Sequence, residues 1–315
     1  MEYYIGIDSG GTKTEFILAD AEGSVISRAV DSGCNPLDIG ADPAREIILR
    51  NVRQLDAAAP GPICSIYAGI AGANHVDMHL ETLLAQELGG AVVRVEDDRR
   101  IVVSSTLGHA DGCGMICGTG SSLSIIIGSE PIRQVGGLGY LIDTGGSGYE
   151  LGQAGLKEAC RYLDGRGEYT VLADLITKAL GKKPWDSLAN IYAGGRSYIA
   201  SFAHTVFEGM EMGDAVCRRI VEESAYRLSE LTFAAEKYFP GEFPVVMSGG
   251  IFRAYPKYVQ LVCAKASPKA RMILAVVPPV YGALVEAMWQ NGRTADAAVQ
   301  RNFMGSIQRL ESRVN

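Results

Sequence analysis

Two short segments of this 315-residue chain carry residues that could hold a polyphosphate. The first is Ile5-Gly6-Ile7-Asp8-Ser9-Gly10-Gly11-Thr12-Lys13-Thr14-Glu15-Phe16-Ile17-Leu18. It runs from an apolar stretch through a turn of glycine and hydroxyl residues into a second apolar stretch. Gly114-Met115-Ile116-Cys117-Gly118-Thr119-Gly120-Ser121-Ser122-Leu123-Ser124-Ile125-Ile126-Ile127 repeats the plan. Glycine lets the backbone approach a ligand closely and adopt φ > 0. Successive exposed N–H groups in such a turn form an anion-binding concavity. One such hairpin is weak evidence, since a plain Gly-Gly turn is the alternative. Two of them point to a duplicated unit that grips a polyphosphate from both sides.

The first turn is not a Walker A loop. Gly6 and Gly11 have the right spacing, but Thr12 stands where the lysine belongs and Lys13 comes one place late. Thr14 to Leu18 alternates and is β-rich, so a strand follows rather than a helix. A dinucleotide fingerprint fails for the same reason.

Two adjacent carboxylates, Asp97 and Asp98, follow an apolar run and precede a helix beginning at Arg99. Neighbouring residues on an extended strand point to opposite faces, so one of the pair faces a ligand there. The same pair could cap the helix, and capping is compatible with acid–base work. His75 and His79, with Asp77 between them, are four apart and could face one way on a helix. No third ligand accompanies them, so a solvated helix start is the favoured reading.

The elements that must place these groups recur. Residues 3–8, 14–19 and 24–29 read as three antiparallel strands. A helix over 43–55, a strand over 63–68, a helix over 76–88 and a strand over 91–95 follow. Residues 114–117, 121–128 and 132–135 are again three strands. A helical region spans 149–236. After it come a strand over 243–247, a helix over 256–265, a strand over 272–277, and helices over 282–290 and 295–312. This implies an α/β protein of two mixed-sheet domains with a cleft between them. The domains are residues 1–112 and 113–294, with the final helix at about 295–315 packing back on the first. Ligands of such sheets sit beyond the carboxyl ends of strands, where Asp8, Gly69, Asp98, Gly118 and Gly249 collect.

Hydrophobic residues make up 47% of the chain, ample for a core, yet no run reaches the ~18 apolar residues of a membrane span. The net charge of −7 argues against a nucleic-acid footprint, which needs a basic face. The seven cysteines are scattered without a C-x-x-C pair. With no basic-then-apolar leader before the first strand, they favour a reducing cytoplasm over a disulfide framework.

The ordered set Asp8-x-Gly10-Gly11-Thr12-x-Thr14, Ala68-Gly69-Ile70-Ala71-Gly72, Asp97-Asp98, Gly118-Thr119-Gly120-Ser121, Gly136-Gly137-Leu138-Gly139, Gly146-Ser147-Gly148-Tyr149, Ser248-Gly249-Gly250 and Gly282-Ala283 resembles N-acetylglucosamine kinases. More broadly it resembles the BadF/BadG/BcrA/BcrD ATPase family. The resemblance covers Ile5 to about Ala287. It implies two actin-like (ribonuclease H-like) domains and ATP-dependent phosphorylation of an amino sugar. N-acetylglucosamine is the leading substrate, with ATP and Mg²⁺ as cofactors and no nucleic-acid or membrane partner; a homodimer is left open. Phosphates would be held by Gly10, Gly11, Thr12, Lys13, Gly118, Thr119 and Gly120, and Mg²⁺ by Asp8. Gly249, Gly250 and Phe252 would lie by the adenosine. Asp98 takes the family's base position, with Asp97 where an asparagine is usual. The sugar site would use Asn35, Ser121, Ser122, Gly137, Leu138, Gly139 and Thr144. Leu138 replaces a common tryptophan. Thr144-Gly145 replaces an acidic pair, with Asp143 one place early, which leaves N-acetylmuramic acid or another hexosamine as an alternative substrate. A non-kinase activator ATPase of the same family is the runner-up, disfavoured by the scattered cysteines. A sugar-responsive repressor would need a DNA-binding module ahead of the first strand.

Overall fold

The computed structural model describes residues 2–128, 130–143 and 145–312. The chain begins β1 (Tyr3–Ser9), β2 (Lys13–Asp20), β3 (Val25–Ser32), α1 (Pro36–Ile39), α2 (Ala41–Ala58), β4 (Ile63–Ile70), α3 (Leu80–Glu87), β5 (Val92–Glu96) and α4 (Arg99–Leu107). It continues with β6 (Gly112–Cys117), β7 (Ser121–Ile127), β8 (Glu130–Val135), α5 (Gly148–Leu163), α6 (Leu172–Leu180), α7 (Leu188–Ser201), α8 (Ala203–Glu211) and α9 (Ala215–Ala235). The last elements are β9 (Phe243–Ser248), α10 (Gly250–Ala254), α11 (Pro256–Lys265), β10 (Ala270–Leu274), α12 (Pro279–Gln290) and α13 (Ala297–Glu311). The strands form two five-stranded sheets, ordered β3-β2-β1-β4-β5 and β10-β9-β6-β7-β8. In both, the third, second, first, fourth and fifth strands of the half lie side by side, so the repeat read from the sequence is a repeat of topology.

Contacts divide the chain into two compact units. One comprises Met1–Gly112, Ile126–Pro131 and Ala275–Asn315, the other Cys113–Ile125 and Ile132–Leu274. In the first unit β1 pairs antiparallel with β2 and parallel with β4, and β4 pairs parallel with β5. Strand alternation splits its core. Tyr3, Ile5, Ile7, Phe16 and Leu18 join α2 through Ala44, Ile48, Val52 and Leu55 on one face. Those helix positions recur every three or four residues, and burying each large aliphatic contributes about 1.5–3 kcal/mol. On the other face Tyr4, Ile17 and Ala19 meet α12 and α13. Gly6 belongs to this packing: a Cβ there would lie 2.8 Å from Leu284 N and 3.0 Å from Val280 O of α12.

Three expectations shift. The strand expected over 272–277 ends at Leu274, where its parallel pairing with Met247 ends. Val276 is exposed, and Pro279 starts α12 earlier than expected, with its missing N–H at a helix start. The helix expected over 76–88 begins only at Leu80. Asp77 Oδ1 accepts the His79 N–H at 2.8 Å, and His79 has φ 54°. That local turn competes with the helix. His75 lies in a separate single turn, so the two histidines do not share a helical face. All seven cysteines are free. Among the described residues no helix is long and apolar enough to cross a membrane.

Candidate active site

In the first unit the chemical groups collect at the carboxyl ends of three adjacent strands. Asp8 stands in register with Gly69 of β4, and Gly69 with Glu96 of β5, one residue before Asp97. The turn between β1 and β2 is closed by Gly10 N donating to Lys13 O at 3.0 Å. Ser9 Oγ lies 2.9 Å from Thr14 Oγ1 and accepts from Cys34 N at 3.2 Å. Gly33 presses on the turn so closely that a Cβ there would lie 2.4 Å from the Gly11 carbonyl. The turn is thus rigidly backed, while Gly11, Thr12 and Lys13 are exposed. The Lys13 ammonium sits 3.3 Å from Glu15, which also takes Arg28 at 2.8 Å. Glu15 was missed in the sequence, although residues two apart on a strand share a face. Asn35 caps α1, its Oδ1 accepting from Leu37 N at 2.9 Å.

Asp98 occupies the residue before α4 but makes no side-chain cap hydrogen bond. The capping role that the sequence allowed is not used; the Asp98 side chain hydrogen-bonds instead with that of Asp97. The residue keeps some contact with solvent, yet its carboxyl sits in a densely packed surround. Desolvation pushes its pKa well above the usual carboxylate range, and the neighbouring Asp97 and Asp8 charges push the same way. Asp97 is also held by Arg99, whose Nε donates to its Oδ1 at 2.7 Å. One carboxylate of the pair is tied to a guanidinium and the other is raised in basicity.

Among the described residues no three His, Cys, Asp or Glu side chains gather as a metal cage. Mg²⁺ takes one or two carboxylates and fills its other positions with waters and phosphate oxygens. Asp8, close enough for its charge to act on Asp98, fits that role.

In the second unit, Gly118 N donates to Gly120 O at 2.9 Å. A Cβ at Gly118 or Gly120 would meet nothing within 4 Å, so both glycines face open space. Behind the turn lies the start of α5: Gly148 N donates to Gly118 O at 2.8 Å and Tyr149 N to Thr119 O at 3.1 Å. Ser147 caps α5 by accepting from Glu150 N at 3.1 Å, and Glu150 accepts from Gly146 N at 2.6 Å. Ser121 Oγ donates to Gly145 O at 2.5 Å. Gly137 packs beside Ser122, where a Cβ would lie 2.7 Å from the serine Cβ. Gly139 is open, and Leu138 is exposed. Thr144 lies outside the described residues. Gly249 has φ 124°, and a Cβ on it would lie 2.2 Å from Cys117 O, so β9 ends hard against the end of β6. Gly250 faces open space, whereas Phe252 is 1% exposed and enclosed by protein, its ring 6.3 Å from that of Tyr258. The surface this segment offers a ligand is backbone.

The model of the BadF/BadG/BcrA/BcrD ATPase family matches residues 5–289, and the chain belongs to that family. The chain is 31% identical over 241 residues to the N-acetylmuramic acid/N-acetylglucosamine kinase of Clostridium acetobutylicum, covering 72% of this chain and 77% of the relative. It is 27% identical over 316 residues to the N-acetyl-D-glucosamine kinase of Dictyostelium discoideum, covering 91% and 98%. Its structure resembles that of a candidate N-acetylglucosamine kinase from Porphyromonas gingivalis with a TM-score of 0.72 at 20% identity, covering 93% and 100%. The α/β class with two mixed sheets, expected from the sequence, is what the protein has.

Proposed function

We propose that the protein is an ATP-dependent kinase of an amino sugar, with N-acetylglucosamine as the leading substrate and Asp98 as the base. The observation that carries this reading is a carboxylate at the head of α4 that caps nothing and is raised in basicity. Family membership and the names of the relatives support the substrate class. The sugar hydroxyl oxygen forms a bond to the γ-phosphorus as the bond from that phosphorus to the bridging oxygen breaks, releasing ADP. Asp98 takes the hydroxyl proton. A base raised toward the working pH is better matched to this transfer than an ordinary carboxylate.

The amides and hydroxyls of Gly10, Gly11, Thr12, Gly118, Thr119 and Gly120 hold phosphate oxygens, joined by Lys13 when it leaves Glu15. Mg²⁺, held by Asp8, supplies charge neutralisation at those oxygens. Asn35, Ser121, Ser122, Gly137, Leu138, Gly139 and Thr144 are the proposed sugar contacts, and Gly249 and Gly250 offer backbone to the adenosine, with Phe252 supporting them from within. N-acetylmuramic acid is the second reading, favoured by the name of the 31% identical relative. An ADP-release assay across plain, N-acetylated and lactyl-bearing hexosamines, with a no-sugar control, decides. Sugar-dependent release on an N-acetylhexosamine is expected. Equal release without sugar overturns the kinase reading in favour of an activator ATPase.

A further inference from the structure

Glu286 lies within α12, far in sequence from the candidate site, and is 3% exposed. Its carboxylate gathers three donors: Arg100 Nε at 2.8 Å, Ser104 Oγ, and His109 Nδ1 at 2.7 Å. Arg100 is 2% exposed. The three donors run the whole length of α4, from its second residue to just past its end. The same helix is clamped by backbone. A Cβ at Gly282 of α12 would lie 1.9 Å from Ile101 O, and one at Gly69 would lie 2.7 Å from Ile101 Cδ1.

Stability does not account for this cluster. A buried ion pair often stabilises no better than apolar residues of the same volume. Arg100 Nη2 is moreover buried without a hydrogen-bond partner, which is itself unfavourable. What the cluster supplies is position. The donors from Arg100, Ser104 and His109 on one carboxylate fix α4 along its axis, and Asp98 is the residue from which α4 starts.

We propose that Glu286 is a positioning residue: through Arg100, Ser104 and His109 it sets the axial place of α4 and so the place of Asp98. The proposal rests on Asp98 acting as the base. A misplacement of about 1 Å at a reacting group can cost roughly a hundredfold in rate, so a lock of this kind matters to turnover more than to folding.

The test is the double variant Arg100→Met with Glu286→Leu, which removes both charges and keeps the volume. The expected result is a folded protein with a wild-type or higher Tm, faster amide hydrogen exchange confined to residues 98–104, and kcat lowered about tenfold to a hundredfold with both KM values unchanged. A role in folding alone would lower Tm and spread the exchange through the unit. Wild-type kcat and wild-type exchange over 98–104 in the folded double variant overturn the proposal. Should the double variant fail to fold, Glu286→Gln keeps one acceptor oxygen and loses the other, which releases either His109 or the Arg100 and Ser104 donors, and the same exchange and kcat criteria apply to it. The exchange readout needs no turnover. If the native enzyme phosphorylates no sugar, the kinase reading falls, while exchange over 98–104 still decides whether Glu286 positions α4.

Discussion

The two glycine turns stand on matching scaffolds and are equipped differently. At the end of β1 the chain offers Asp8; at the corresponding end of β6 it offers Cys117. Asp8 keeps some exposure and acts electrostatically on Asp98. Cys117 is buried, its thiol donates to Gly146 O at 3.2 Å, and burial pushes its pKa up, so it is an inert packing group. Gly33 and the Ser9–Thr14 hydroxyl pair back the first turn, whereas a helix start and the backbone of Gly249 back the second. Duplication thus supplies the frame twice, while the groups that can move protons or hold a cation sit in one copy. The second copy offers exposed backbone donors.

The largest effect should come from the charged copy. Asp98→Asn should lower kcat by about 10²–10⁴-fold while leaving ATP binding intact, read by steady-state kinetics and nucleotide titration. Normal turnover in Asp98→Asn beside a dead Asp97→Asn would transfer the role to Asp97. The same variant should be more stable than the native protein. Asp98 has a raised pKa in the folded state, so its contribution to stability is full below the unfolded value of about 3.9 and is lost as pH rises through the raised value. Above the unfolded value the buried carboxyl opposes folding, and the asparagine removes that opposition. Calorimetry at pH 7 should show a higher Tm for Asp98→Asn without ligands. By the same shift, the acidic limb of kcat/KM should lie above the ordinary carboxylate range and vanish in the variant.

The backbone copy should break through glycine. Gly249→Ala meets both a left-handed φ of 124° and the Cys117 carbonyl, so it should lose about 1–3 kcal/mol or more in denaturant unfolding. Gly118→Ala meets no protein atom. It should therefore fold with a native Tm yet raise KM for ATP about tenfold, because a methyl group then stands where phosphate oxygens approach. A folded Gly118→Ala with native KM would remove the second turn from the phosphate site.

How much of this was legible depends on the range of the determining contact. The strands around both turns were readable because alternation and turn chemistry are local. Asp98 at the end of a strand was readable too, although whether it capped α4 was not, since that depends on its rotamer. The late start of α3 was hidden because Asp77 closes on His79 through a side-chain turn that competes with an otherwise helical pattern. The family resemblance put Phe252 by the adenosine, and its enclosure is set by tertiary packing that no local pattern shows. The ion pair between Arg100 and Glu286 joins residues 186 apart, and no spacing rule links them. Gly6 has the spacing of a Walker A motif that the rest of the turn excludes, and the approach of α12 is what requires a glycine there.

The smallest expected effect sharpens what the second copy adds to specificity. By the family resemblance Thr144 and Gly145 stand where an acidic pair is usual, and a hydrogen bond to a carboxylate is roughly twice as strong as one to a neutral acceptor. Gly145 has room for a side chain, since a Cβ would make only ordinary contact, 3.5 Å from Arg227 Cβ. The next residue, Gly146, is hemmed in by Leu228 at 2.3 Å, so the segment beyond is held in place. Thr144→Asp with Gly145→Glu should therefore fold and lower KM for N-acetylglucosamine about threefold to tenfold. Arg227 complicates the outcome, because it pairs with Glu150 at 2.5 Å and could capture the new glutamate. Adding Arg227→Ala separates the cases: a KM that falls only in the triple variant means capture, and a KM already low in the double variant means direct sugar contact. Loss of activity on every sugar in a folded double variant would mean that Asp143-Thr144-Gly145 is itself a working site, and that the second copy reads its substrate by a neutral hydroxyl.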